Sequence, residues 1–441
     1  MSLSIRGRQV LLAQWFSGIL MGPLALGGSE VWMEKLEHPI WISDSMVGES
    51  HFFIRESEDE PPKARLLFSP TGPIRIVHPA SGREFETGND FKVDPAAKTV
   101  SLTEESPIPF QTREQMYPAP GAPNTIPGKR DSDRHLLFGE GHYFHDLQVE
   151  CSYSHSGEEW NEWGAYVPHS AADRSPNTVE ILESGKPLKV VLLGDSISEG
   201  YNASGFVGAE PYQPAYGGLV AAGLKKRYPS EIQFKNLAKA GMDTVWGIGQ
   251  MDAVLAEKPD LAILAFGMND SNSKSPEEYR ANTEKMIQSL REANPKTEII
   301  LVATMIGNQE WNAVPEVETF LAYRDELSKL VGEGIALADL TAVWAELLKH
   351  KGFHDLTGNG VNHPNDFGHR LYAQVILALL DRPQSAALAS RALSNRQTHA
   401  KLGIKGTRSI QPPCCEIRLP CLPRILCFPR FKPITPRPSS P

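Results

Sequence analysis

From Leu188 to Leu340 the sequence repeats one pattern that few folds accommodate: a short, almost uninterrupted apolar run, a helix-length segment, then another run. The runs are LKVVLLGD from Leu188, IQFKNLAKAG from Ile232, LAILAFGMND from Leu261, EIILVATM from Glu298 and IALADL from Ile335. Apolar runs without polar alternation predict strands covered on both faces. The helix-like segments between and after them, near 214–228, 244–257, 276–293, 316–331 and 341–350, supply the cover. Strand and helix in alternation imply an α/β fold with a flavodoxin-like, doubly wound parallel sheet. A last segment, DFGHRLYAQVILALL, sets Phe367, Leu371, Val375 and Leu379 on one helical stripe before Asp381, Arg382 and Pro383 end it.

The 441 residues exceed one average domain. Between residues 38 and 170 the rhythm is different: IWIS, HFFI, ARLLFS, PIRIVHP, TVSL and LQVECSY are short apolar stretches separated by Gly, Pro, Asp and Ser. Many short strands with frequent turns predict a mostly β, jelly-roll-like sandwich over 31–170. Within it, YPAPGAPNTIPGKRD (117–131) reads as a long surface loop. The polar stretch 171–186 reads as a linker and 187–383 as the α/β domain.

Residues 384–441, with ten Lys or Arg, nine Pro and one acid, read as a basic, disordered tail. Because these residues contribute +9 to a total of −9, the first 383 carry about −18. An acidic body argues against nucleic acid or an anionic membrane as the main partner. No stretch reaches the roughly 20 apolar residues of a membrane span. Residues 1–30 hold Arg6, Arg8, an apolar run and a small-residue exit at Ala25–Gly27, the layout of a secretory signal, but Gln14, Ser17 and Pro23 interrupt it. Export and an ordinary cytoplasmic, disordered N-terminus both stand as readings. One cysteine, Cys151, lies in the body and four lie in the tail, so no disulfide framework or paired-cysteine metal knuckle is expected. Nothing in the sequence sets an oligomeric state.

The residues that carry chemistry fall at the carboxyl ends of the predicted strands, where ligands bind in open α/β sheets. VVLLGDSISEG ends the first run in Gly194, Asp195 and Ser196; Gly241 follows the second run in NLAKAGMDT; Asn269 follows the third in FGMND; and His363 lies in TGNGVNHPNDFGH ahead of the last helix. A serine hydroxyl becomes a nucleophile when an adjacent base takes its proton, and neutral imidazole suits that task near pH 7. His363 is the candidate base. Asp195 reads as structural, accepting backbone N–H groups in the turn beneath Ser196. No nucleotide fingerprint, phosphate-cradling loop or zinc-helix pattern appears, so neither a cofactor nor a metal is expected.

Four such blocks in this order resemble the SGNH hydrolases, the subgroup of GDSL esterases named for Ser, Gly, Asn and His. The resemblance covers about residues 187–383. It implies the SGNH fold, Ser196 as nucleophile, His363 as base, and an oxyanion hole made by the Ser196 N–H, the Gly241 N–H and the Asn269 amide. Glycine at 241 leaves its N–H unshielded. One position departs from the pattern: most relatives carry Asp three residues before the histidine, where this chain has Gly360. Either a Ser196–His363 dyad operates with a backbone carbonyl holding the imidazole, or a neighbour substitutes, with Asp355 the candidate third member among Asp355, Asn359, Asn362 and Asp366. His354 and His369 flank the loop without matching a block. Glu199 and Trp311 are candidate substrate-binding residues, with Tyr201 and Asn202 beside Glu199 at the rim; an indole face is what sugar rings stack on.

A β-sandwich ahead of an SGNH domain is similar to the arrangement in some carbohydrate esterases. The implied substrate is an O-acetyl or other short acyl ester on a glycan, or another small ester. The alternatives are a lipid esterase or thioesterase, and a non-catalytic carbohydrate-binding protein.

Overall fold

In the computed structural model, which describes residues 28–42, 44–129, 134–157 and 167–382, the five apolar runs become the strands Leu188–Gly194, Ile232–Asn236, Leu261–Ala265, Glu298–Ala303 and Ile335–Asp339. All neighbouring pairs are parallel, in the spatial order second, first, third, fourth, fifth. That is the flavodoxin-like order, whose reversal beside the first strand opens a crevice at the carboxyl edge. Successive side chains serve opposite faces, as strand geometry requires. Val190, Leu192, Ile263 and Ile300 join one core with Leu219 and Leu224 of the helix Tyr216–Arg227 and Leu371 and Val375 of Asp366–Leu380. Val191, Leu193, Leu264 and Ile299 join a second core with Met286 and Leu290 of Pro276–Ala293 and Tyr323 and Leu327 of Val317–Ser328.

The N-terminal part is mostly strands. Eight of them form one connected network, in which Ser45–Arg55 is the hub. Its residues Ser45–Phe52 pair antiparallel with Gln148–Ser154, whereas Phe53–Arg55 pair with Phe110–Thr112 and Ile54 with Lys63. TVSL is the strand Thr99–Leu102, and HFFI, PIRIVHP and LQVECSY contribute to Ser45–Arg55, Arg75–His78 and Gln148–Ser154. Ile40–Ile42 of IWIS are not a strand: Ile40 and Trp41 are buried in a turn after the helix Gly28–Leu36. For Ile40 and Trp41 the apolarity reflects burial and not strand pairing, whereas Ile42 is exposed.

Two further expectations need correction. The stretch 117–131 is not simply a surface loop, because Thr125–Pro127 pairs antiparallel with His135–Leu137 and Gly128 bridges to Trp311 of the α/β part. The stretch 171–186 is more than a linker. It contains the helix Pro176–Ser184, whose first amides, Asn177 N and Thr178 N, donate to the Glu298 carboxylate at 2.8 and 2.7 Å, and whose Val179 and Leu182 are buried. A carboxylate at a helix N-terminus satisfies donors the helix itself leaves open. Residues 1–27 of the candidate leader at 1–30 and the basic tail at 384–441, with its four cysteines, lie outside the described residues, whereas residues 28–30 begin the helix Gly28–Leu36. Among the described residues no helix is long and apolar enough to cross a membrane.

The two parts share one continuous apolar core, which runs from Met46, Phe53 and Val149 into Leu188, Leu377 and Leu380. The helix Asp366–Leu380 is consequently buried on nearly every side, polar residues included. Its Arg370 guanidinium donates to the Gly48 carbonyl and lies near Glu150, and Gln374 reaches the carbonyls of Lys35 and Leu36. Beside this helix Lys351 Nζ, fully buried, sits 2.7 Å from Glu49 Oε1, 3.1 Å from His51 Nδ1 and 2.8 Å from the Arg65 carbonyl. Burial alone would raise the Glu49 carboxyl, but Lys351 and His51 outweigh it and hold it near 2.

Replacing Lys351 by Met leaves Glu49 buried without its cation, and unfolding in urea at pH 7 should show a loss of about 3–5 kcal/mol. Because the folded Glu49 value lies below the ordinary 4.5, its contribution is present above that pH and fades as pH falls toward 2. Thermal scans from pH 7 to pH 2 should show that decline in the wild type and a flatter profile in Lys351→Met.

Candidate active site

The first parallel strand ends at Gly194, and Asp195 begins the short helix Ser196–Glu199 by accepting from Ile197 N at 3.0 Å. Asp195 is buried; burial, with Asp270 nearby, pushes its pKa up to about 7 against the opposing backbone donors. It braces the turn, as expected, and Ser196 stands at the carboxyl edge with 5% of its surface exposed. Ser196 Oγ lies 2.9 Å from His363 Nε2. The loop after the second strand carries Gly241 at φ +76° with no heavy atom in the space a Cβ would take. Asn269, after the third strand, donates from Nδ2 to the Met242 carbonyl at 2.9 Å, which orients its amide toward the Gly241 loop. Serine and histidine at this distance can exchange a proton.

The other ring nitrogen of His363 meets three side chains. Nδ1 lies 3.0 Å from Asn202 Oδ1, 3.0 Å from Asn359 Nδ2 and 3.5 Å from Glu140 Oε1. The fully buried Asn359 also shapes the loop, its Oδ1 accepting from the N–H groups of Val361, Asn362 and His363 at 3.0–3.1 Å. Asn202 is held in turn: its Nδ2 donates to the carbonyls of Gly141 and Gly358 at 3.2 and 3.1 Å, and its own carbonyl meets His145 Nε2 at 2.9 Å. A ring with Nδ1–H donating to Asn202 Oδ1 leaves Nε2 as an acceptor for the Ser196 hydroxyl. Partial desolvation would raise the carboxyl of Glu140, whose side chain is 45% exposed, but His363, Asn359 and Asn202 hold it below its ordinary value.

Residues 192–371 match the GDSL-like lipase/acylhydrolase family. This part of the chain is similar to GDSL-like lipase/acylhydrolase domains. Solved structures similar to the chain include a two-domain esterase active on acetylated mannans, with 23% identity over 50% of this chain and 55% of that one and a TM-score of 0.40. They also include a catalytic mutant of an acetylxylan esterase from Geobacillus stearothermophilus, with 22% identity over 45% of this chain and 96% of that one and a TM-score of 0.37. A lipase/acylhydrolase from Enterococcus faecalis has 23% identity over 43% of this chain and 93% of that one, with a TM-score of 0.34. The chain spans about half the length of the two-domain esterase, 55% of it. No curated protein sequence matches.

Within the GDSL-like domain the structure separates the remaining candidates. Asp355 does not turn to His363: its Oδ1 takes the Phe52 N–H and its Oδ2 the Gly352 N–H, both at 2.8 Å, so it ties the two parts together. Glu199 is engaged by the Ala240 N–H and braces the Gly241 loop instead of standing free at the rim. Trp311 is half-buried on a loop whose backbone pairs with Gly128. Asp366 accepts from Ser204 N at 2.8 Å. His369 is bonded at both nitrogens, to Tyr216 N and the Tyr201 carbonyl, and burial lowers its pKa to about 3. His354, packed against Phe52 and Phe144, is lowered by burial to about 4. Both imidazoles are therefore neutral near pH 7. Among the described residues no group of three or more His, Cys, Asp or Glu is placed to hold a metal ion.

Glu140 escaped sequence reasoning because it lies more than 220 residues before His363. The one available signal was the vacancy at Gly360. A Cβ there would come within 2.8 Å of both the Leu137 carbonyl and the Phe144 ring, and φ is +84°. Gly360→Asp, which writes the usual acid back into the GDSL-like pattern, should therefore destabilise the fold by about 2 kcal/mol through overpacking and an unfavourable φ, measured as a drop in Tm against wild type.

Proposed function

We propose that the protein is a serine esterase that hydrolyses carboxylic esters, with O-acetyl or other short acyl groups on a carbohydrate as the preferred substrates. The observation that carries the reading is the 2.9 Å approach of Ser196 Oγ to His363 Nε2 at the carboxyl edge of a GDSL-like domain. In the first half-reaction Oγ attacks the ester carbonyl as Nε2 takes its proton. The Ser196 and Gly241 N–H groups and the Asn269 amide receive the charge that develops on the carbonyl oxygen. The tetrahedral adduct collapses by breaking the ester C–O bond, and His363 returns the proton to the leaving alcohol. Water, deprotonated by the same imidazole, then releases the carboxylic acid and restores Ser196.

The carbohydrate part of the reading rests on the make-up of the rim and on the β-rich part ahead of the hydrolase domain. Glu140 is exposed, Asn362 half-buried, and the half-buried Tyr201 ring lies 5.1 Å from the His363 ring and 4.9 Å from the exposed Phe206. Hydrogen-bonding groups beside aromatic faces suit a polyol with one apolar side. We read the N-terminal strands as a jelly-roll-like sandwich folded about Ser45–Arg55, since the two ends of that strand pair with different partners. A lipid esterase or thioesterase would use the same Ser196 and His363 and differ in the acyl chain it accepts.

Hydrolysis of p-nitrophenyl esters of rising acyl length, and acetate release from acetylated xylan, test the reading. Wild type should favour acetyl over longer chains and release acetate from the polymer. Ser196→Ala and His363→Ala should abolish turnover, and Asn269→Ala should lower kcat by about a hundredfold or more with little change in KM. A preference for long acyl chains would move the assignment to a lipid esterase. Retention on xylan without turnover of any ester would favour the carbohydrate-binding reading.

A further inference from the structure

We propose that Glu140, carried by the β-rich N-terminal part, is the positioning carboxylate of the His363 imidazole, so that the hydrolytic site is completed only where the two parts of the chain meet. The inference rests on the Ser196–His363 reading and adds the group that reading lacks.

Three independent observations point to it. The first is steric. The place where an acid three residues before the histidine would begin is occupied by the Leu137 carbonyl and the Phe144 ring, which bracket Glu140 in sequence. The segment that forbids a side chain at 360 is thus the one that delivers a carboxylate. The second is the contact itself: Glu140 Oε1 lies 3.5 Å from His363 Nδ1 and accepts from Asn359 Nδ2 at 3.2 Å, so the amide that touches the ring also bonds the carboxylate. The third is the clasp around it. Gly139 N donates to the Asn359 carbonyl at 3.4 Å, the Gly141 carbonyl accepts from Asn202 Nδ2 at 3.2 Å, and His145 Nε2 meets the Asn202 carbonyl at 2.9 Å. Residues 137–145 therefore grip both amide residues that face the imidazole.

The roles divide by chemistry. Asn202 Oδ1, neutral and 3.0 Å away, sets the tautomer by accepting from Nδ1–H. Glu140 supplies what an amide cannot, a negative charge against the imidazolium formed when Ser196 gives up its proton. The other titratable groups around the ring are His145 on the same segment, Tyr201, and Asp366 and His369 on the last helix. Asp366 is turned to Ser204 N, and His369 is bonded at both nitrogens. Of these side chains only Glu140 brings a carboxylate to Nδ1.

The test uses full-length protein with Glu140→Gln, which keeps the shape and removes the charge, and Glu140→Asp, which keeps the charge. With p-nitrophenyl acetate, Glu140→Gln should lower kcat about tenfold to a hundredfold with KM unchanged, because Asn202 still sets the tautomer. The acid limb of kcat/KM should move to lower pH, since the protonated ring loses its counter-charge. Glu140→Asp should recover part of kcat and the wild-type limb. Wild-type kcat and pH profile in Glu140→Gln would overturn the proposal, as would an equal loss in both variants accompanied by a fall in Tm. The ring-proton titration of His363 by NMR, assigned by comparison with His363→Ala, gives a readout free of turnover. A midpoint at lower pH in Glu140→Gln supports the proposal and an unchanged midpoint overturns it. If wild type turns over no ester, the esterase reading fails while this titration still decides the role of Glu140.

Discussion

The packing of the N-terminal strands onto the helix Asp366–Leu380 is the constraint on which the rest of the structure depends. A helix that only covered a sheet would show one apolar stripe and one wet face. This one is buried nearly all round, and its polar residues find partners on both sides: Arg370 on the Gly48 carbonyl, Gln374 on Lys35 and Leu36, Asp366 on Ser204. The histidine loop leads directly into that helix through Asn365, which accepts from Gly368 N and donates to Ser50 Oγ. Whatever fixes the helix against the strands also fixes the distance between His363 and Ser196.

Beside the shared apolar core, the seam also carries buried polar groups. Lys351, Glu49, His51, Tyr153 and Asp355 form a buried network between the two parts, with Tyr153 OH on Glu49 Oε2 at 2.6 Å and Leu67 N on Glu49 Oε1 at 2.9 Å. Such networks contribute little net stability over apolar packing, but each member left alone is costly, so they select one register of the two parts. One register is what a site assembled from both parts requires, because an imidazole misplaced by an ångström loses its partner.

The α/β half was legible because its chemistry is local. Period and composition mark the five strands and their covering helices, with Pro276–Ala293 and Asp366–Leu380 falling on the expected residues. That Ser196, Gly241 and Asn269 follow the first three strands was legible too, since strand ends are set by the runs that precede them. The N-terminal half was read less well. Ile40 and Trp41 of IWIS are buried in a turn, Thr125–Pro127 of the Pro-rich 117–131 stretch forms half of a small hairpin, and 171–186 contains the helix Pro176–Ser184, bonded to Glu298. Asp355 looked eligible as an orienting acid by proximity in sequence, yet the Phe52 and Gly352 amides claim it.

By itself the sequence determined the parallel sheet, the order of its covers and which side chains stand at its carboxyl edge, because apolar periodicity and turn chemistry act over a few residues. Only the tertiary structure decided what surrounds the imidazole. Gly360 signalled a missing acid but not its replacement, and Glu140, Asn202 and Asn359 meet around Nδ1 from three separate stretches of chain. No local pattern encodes such a meeting, since it follows from how the β-rich part seats on the last helix.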